Sequence, residues 1–135
     1  PLGFFRDFVL IDDGEHKDTL DLKHNGIVPI IDLARIYALA EGLTAVSTID
    51  RLKQAAGTPS LSKDGAANLL DAYEFIGELR IEHQAAQIRK GEKADNFLSP
   101  KQLSRLERAH LRDAFKVIQT MQESLSQRFH AGRIG

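Results

Sequence analysis

The run from Leu20 to Leu39, LDLKHNGIVPIIDLARIYAL, sets four charged residues, Asp21, Lys23, Asp32 and Arg35, into an otherwise largely apolar stretch. Two further blocks have the same character: AYEFIGELRIEHQ from Ala72 to Gln84 and LSRLERAHLRDAF from Leu103 to Phe115. A charge in a helical core is costly unless it finds a partner. Three such blocks in one small chain predict a paired polar cluster held between helices.

Helical periodicity dominates after residue 26. Ile27, Ile30, Ile31, Ala34, Ile36, Tyr37 and Leu39 fit a buried helix that starts near Pro29 and stops at Gly42. Ser47 or Thr48 caps a short helix carrying Ile49, Leu52 and Ala56, ended by Gly57 and Pro59. Ser62 caps a longer helix whose stripe reads Leu69, Tyr73, Ile76, Arg80, His83 and Gln87, and Gly91 ends it. The following GEKADNF is polar and reads as a loop. Ser99-Pro100 with Gln102, then Ser104-x-x-Glu107, give two successive capping boxes, so the last helix starts by stepping from one turn into another. Leu111, Ala114, Ile118, Met121, Leu125 and Phe129 form its apolar stripe.

In residues 1–26, Phe8 to Ile11 and Thr19 to Lys23 read as two short strands flanking the Asp12-Asp13-Gly14 turn. LGFFRDFVL also fits a helical turn packing Phe4, Phe5 and Phe8; the hairpin is preferred. The predicted fold is all-α, a bundle of four or more helices with a short N-terminal β-hairpin. The longest helices fall near 62–90 and 103–130, and Leu69, Tyr73, Ile76, Leu111, Ile118 and Leu125 lie in the core. Residues 1–130 read as one domain and 131–135 as a frayed C-terminal tail. The chain begins on Pro1 without an initiator methionine, which reads as a piece of a longer protein.

Net charge is −1, so no overall field favours nucleic acid or acidic membranes. No apolar run approaches the ~18 residues of a membrane span. The chain has no cysteine, which excludes disulfides and thiolate chemistry and is consistent with a reducing cytoplasm. Its five histidines lack the close spacing of a zinc helix, and Asp12-Asp13-Gly14-Glu15 lacks the alternating oxygen ligands of a calcium loop. Neither a glycine-rich phosphate loop nor a nucleophile elbow occurs.

The charged positions carry the remaining signal. Asp32 and Arg35 share a helix face. They read as a ligand-facing pair or, preferably, as a partly buried ion pair holding their helix to the Arg80 helix. Arg35 is the residue best suited to anion contact, because its fork matches phosphate or carboxylate. Arg80, His83 and Gln84 read as the wall of a cleft or as a polar layer in the bundle, with His83 satisfied by a carboxylate such as Asp32 or Asp113. Lys23 precedes the His24-Asn25-Gly26 turn and reaches past the first helix. Lys23, Arg35, Arg80 and His83 are therefore expected around one groove suited to a phosphate or an acidic acceptor, with Asp32 and Asp113 limiting their repulsion.

LDLK, PIIDLARIYAL, YEFIGELRIEHQ and LERAHLRDAF together resemble a known family. It is the C-terminal nucleotidyltransferase substrate-binding domain of bacterial signal-transduction proteins. Those proteins usually carry cyclic-nucleotide-binding and CBS domains, then a nucleotidyltransferase domain, then this one. The resemblance runs from about Pro1 to Phe129. It implies a cytoplasmic, non-catalytic domain that closes one side of a uridylyl- or adenylyltransferase-like cleft and presents a protein or small-molecule acceptor. The Gly-Ser loop and paired aspartates that hold the nucleoside triphosphate and magnesium belong to the preceding domain. Neither a Gly-Ser dipeptide nor an Asp-x-Asp occurs here, and Asp18 and Asp21 are too far apart to stand in. The implied partners are that transferase domain and an acceptor, with a homodimer also open and with neither nucleic acid nor membrane. A structural or dimerisation module, linking regulatory and transferase domains or pairing two chains, is the alternative. A third reading rests on Arg105 and His110, whose spacing resembles the Arg-(four to six)-His motif of HEPN ribonucleases. Leu106 after the arginine, and the arginine's place at a helix start, depart from that pattern.

Overall fold

A computed structural model of the chain describes residue 8 and residues 10–134; the expectation for Phe4 and Phe5 lies outside them. Strand β1 (Leu20–Asp21) leads into a π-helical turn, Lys23–Ile27, which runs directly into helix α1 (Val28–Ala40). Then follow α2 (Thr48–Ala55), α3 (Lys63–Arg89), strand β2 (Phe97–Leu98), a 3-10 turn (Pro100–Gln102) and α4 (Arg105–Ile134). The fold is mostly helical with one small two-stranded sheet, and α3 and α4 are the two long helices predicted from the sequence.

Each helix starts and stops where its local chemistry dictates. The Ser47 hydroxyl accepts from the Asp50 N–H at 3.0 Å, and that of Ser62 accepts from Gly65 at 2.9 Å. Ser104 and Glu107 cap reciprocally: the Glu107 N–H donates to Ser104 Oγ at 3.1 Å and the Ser104 N–H to Glu107 Oε1 at 2.8 Å. Helices α1 and α3 end alike. Gly42 and Gly91 take φ of +65° and +76°, which lets Leu43 N–H reach back to Ala38 O and Glu92 N–H to Gln87 O, both at 2.9 Å.

The principal packing is α3 on α4, with α1 resting mainly on α2 and, to a lesser extent, on α4. Leu22, Ile30, Leu52, Leu69, Ile76 and Leu111 are fully enclosed. Ile118 is also buried, while Tyr73 and Leu125 pack half-buried against this core. Two residues expected inside are not. Leu39 is 75 % exposed, because the stripe of α1 that is buried runs Ile30, Leu33, Ala34, Tyr37, Ala38, and Leu39 falls on the opposite side. Phe129 is 63 % exposed near the end of α4.

The sheet differs from the expected N-terminal hairpin in its partner. β1 pairs antiparallel with β2, Leu20 opposite Leu98 and Asp21 opposite Phe97. Thus the end of the segment read as a loop supplies the second strand. Residues 11–19 do fold back, with Ile11 N–H donating to Thr19 O at 3.1 Å and Asp18 N–H to Ile11 O at 2.9 Å. His16 in that loop stacks on Phe97, ring centroids 3.7 Å apart. The π turn is pressed against α3 at Gly26, where an added Cβ would lie 3.0 Å from Ile76 Cγ2. Among the described residues no helix is long and apolar enough to cross a membrane.

Candidate functional site

The charged positions divide between two places. On α3, Arg80, His83, Gln84 and Gln87 together grip the loop that follows the helix. Arg80 Nε–H donates to Asn96 Oδ1 at 2.5 Å, and Gln84 Nε2 donates to the same oxygen at 3.2 Å and to Asp95 O at 3.1 Å. His83 Nε2 lies 3.2 Å from Asp95 Oδ1, and the Asp95 N–H donates to Gln87 Oε1 at 2.9 Å. Burial by itself would raise the Asp95 carboxyl. The Phe97 backbone N–H, Gln87 and His83 outweigh it and hold the group below its ordinary range.

The predicted polar layer therefore exists, but its acid is Asp95 and not Asp32 or Asp113. Asp32, Arg35 and Asp113 are exposed, as is Lys23. The reason lies in the geometry of α1. Its buried stripe leaves positions 32 and 35 on the outer side, and α1 lies against α2 rather than along α3. The structure thus does not assemble Lys23, Arg35, Arg80 and His83 around one groove. A hollow of 520 Å³ does adjoin His83, between Leu79, Gln87, Lys90 and Leu103.

The second place is the seam between α1 and α4. A groove of 520 Å³ runs along it, floored by Val28, Leu33, Ile36 and Leu125 and edged by His24, Asp32, Gln122 and Ser126. It continues past His24 and Gln122 into a hollow of 390 Å³ that adds Asn25, Lys116 and Gln119. Past Ile36 and Leu125 it continues into a notch of 180 Å³ that adds Tyr37, Ser60 and Arg128. Of the residues expected at a site, Asp32 lies here.

His24 stands at the junction, and Asp21 fixes it twice. Asp21 Oδ1 accepts from the His24 backbone N–H at 3.0 Å, and Oδ2 lies 2.9 Å from ring Nδ1. A carboxylate only accepts, so Nδ1 carries the proton and the neutral ring's lone pair sits on Nε2. Asp21 is held by its place in β1. The π turn that carries His24 is an uncommon element, and such turns occur frequently at functional sites. Under the notch, the Tyr37 hydroxyl is buried without a hydrogen-bond partner among the described residues. Its burial raises the hydroxyl's pKa, and the nearby Arg128 charge only partly opposes that.

His24, Gln122, Ser126 and Tyr37 were not among the residues expected at a site. The Asp21-x-x-His24 spacing was the available signal, since three residues on a helical path return to one face. His110 has a different setting. Its Nε2 lies 2.8 Å from Asp71 Oδ2, and its ring stacks on Phe75 with centroids 3.7 Å apart, tying α4 to α3. Arg105 is five positions earlier, about 140° around the helix from it. Among the described residues no three His, Asp or Glu side chains are grouped to hold a metal ion.

Residues 1–129 match the family described as "Putative nucleotidyltransferase substrate binding domain". The chain belongs to that family. No curated protein and no solved structure matches it.

Proposed function

We propose that this domain is the non-catalytic, acceptor-binding partner of a nucleotidyltransferase domain, and that the acceptor lies in the α1–α4 groove. The observation that carries the reading is His24, oriented by Asp21 at the head of an open groove with an apolar floor and a polar edge. Ligand sites have this composition: mostly apolar walls with a few fixed polar groups. The family supports the association with a transferase domain. On this reading the nucleoside triphosphate and magnesium are held by that domain, and cyclic-nucleotide-binding and CBS domains supply its regulation. The setting is the bacterial cytoplasm.

In the full-length transferase, His24→Ala should raise the acceptor KM by about tenfold, the scale of one hydrogen bond to a charged group. The nucleotide KM should stay as it was. An unchanged acceptor KM, or an equal rise in both, would remove the groove from the mechanism. The 135-residue chain alone, given magnesium and a nucleoside triphosphate, should transfer no nucleotide.

A scaffolding role is the second reading, and the Arg80–Asn96 and His83–Asp95 ties favour it for that cluster. It predicts that Arg80→Ala lowers stability without a separate binding defect.

A further inference from the structure

Helix α3 carries an outer face that the described residues leave uncovered. Ile81 and Ile88 are 68 % and 64 % exposed. Gly77 lies in the middle of the helix, and a Cβ built on it meets nothing within 4 Å. A mid-helix glycine costs stability relative to alanine, and among the described residues no packing requires this one. Residues 74, 77, 81, 85 and 88 fall within about 80° of one another around the axis, so they form a single seam.

The seam is symmetric about Ile81. Four residues to either side stand Gly77 and Ala85, both small; seven to either side stand Glu74 and Ile88, with Arg89 next. We infer that two copies of this chain pair antiparallel along α3, with the two-fold axis at Ile81. In that arrangement Ile81 packs on its own counterpart. Gly77 of each copy sits level with the partner's Ala85, so the two backbones approach closely. Glu74 of each copy meets the Ile88–Arg89 end of the other, where Arg89 supplies the opposite charge. A two-fold interface must be self-complementary in this way. The direction is also set: a parallel pair would place Glu74 beside Glu74 and Arg89 beside Arg89. The pairing uses neither the α1–α4 groove nor His24, so it stands independently of the acceptor reading.

Two tests bear on it with the 135-residue chain. The first is sedimentation equilibrium. The average mass should rise from 15.0 kDa toward twice that value over roughly 10 μM to 1 mM, as expected for a face smaller than a standard interface. Ile81→Glu should abolish the rise while leaving the thermal unfolding curve in place, since the side chain is exposed. Gly77→Leu should abolish it too, yet unfold at a higher temperature. The second test uses the absence of native cysteine. Ile81→Cys should give a covalent dimer on mild oxidation, whereas Val46→Cys, 83 % exposed elsewhere, should not. A chain that stays monomeric throughout overturns the proposal. So does a dimer that survives Ile81→Glu, or cross-linking that is equal at positions 46 and 81.

Discussion

His83 and Asp95 face each other at 3.2 Å, Nε2 to Oδ1, across the base of the loop that leaves α3. The same carboxylate oxygen accepts from Phe97 N–H at 3.0 Å, so one acid organises both the helix exit and the start of β2. Its folded pKa lies below the unfolded value of 3.8. The unfolded chain therefore binds the proton first as pH falls. The stabilising contribution is complete above 3.8 and disappears as pH drops through the folded value beneath it. The stability gap between the native chain and Asp95→Asn, read from urea midpoints, should be constant at neutral pH and shrink in that acid window. A gap independent of pH would mean that the carboxylate charge contributes nothing.

Arg80 and Arg35 should separate under mutation, although both sit in helices with apolar surroundings. Arg80→Ala strips a half-buried hydrogen bond from Asn96 and should cost about 1–3 kcal/mol. Arg35→Ala removes an exposed side chain and should stay within about 0.5 kcal/mol. Chemical denaturation of the two variants decides it, and equal losses would contradict the division of the charged residues.

Two glycines should respond with opposite sign. A Cβ at Gly26 lies 3.0 Å and 3.1 Å from two carbons of Ile76, which is itself fully enclosed and has little room to yield. Gly26→Ala should therefore destabilise, with overpacking of about 1–3 kcal/mol outweighing the gain in helix propensity. Gly77→Ala meets open space and should stabilise the folded monomer by roughly 0.5–1 kcal/mol. Thermal melts at low protein concentration, where monomer dominates, are the measurement.

The Tyr37 hydroxyl is a buried donor without a partner among the described residues, and burial raises its pKa above 10.0. Tyr37→Phe should leave stability unchanged or improve it by up to ~1 kcal/mol, because it removes an unsatisfied polar atom. Ionisation gives a second signature. Above pH 10.0 the unfolded chain loses the phenolic proton before the folded one does, so native stability should fall as pH rises there. Tyr37→Phe should flatten that decline.

How much of this was legible follows from the range of each interaction. Caps at Ser47, Ser62 and Ser104, and stops at Gly42 and Gly91, are settled within a few residues and could be read directly. The α3 and α4 stripes were equally plain. What escaped was long-range or mixed in character. Nothing in GEKADNF marks Asp95 and Asn96 as the partners of His83 and Arg80, because those bonds join a helix face to an irregular loop with no period. Phe97 and Leu98 make a strand of only two residues, too short to alternate. Asp32 and Arg35 lie outside the core for a different reason. The block around them is so apolar that burial looked general, while the spacing of Ile30, Leu33, Ala34, Tyr37 and Ala38 already left them on the outer side. His24 has only a single carboxylate one turn away, a spacing that carries no metal signal.

The short clasp between β1 and β2 bears on the order of folding. Helices α3 and α4 are neighbours in sequence and can dock after closing a modest loop, whereas Leu20 must find Leu98 across most of the chain. Contacts of such high sequence separation form late, and a ladder of two residues adds little to hold them. In native-state amide exchange the clasp should behave as its own opening unit. The Leu22 N–H, bonded to Asn96 O at 2.9 Å, should therefore exchange well ahead of the amides around Leu69 and Ile76, although its side chain is as deeply buried as theirs.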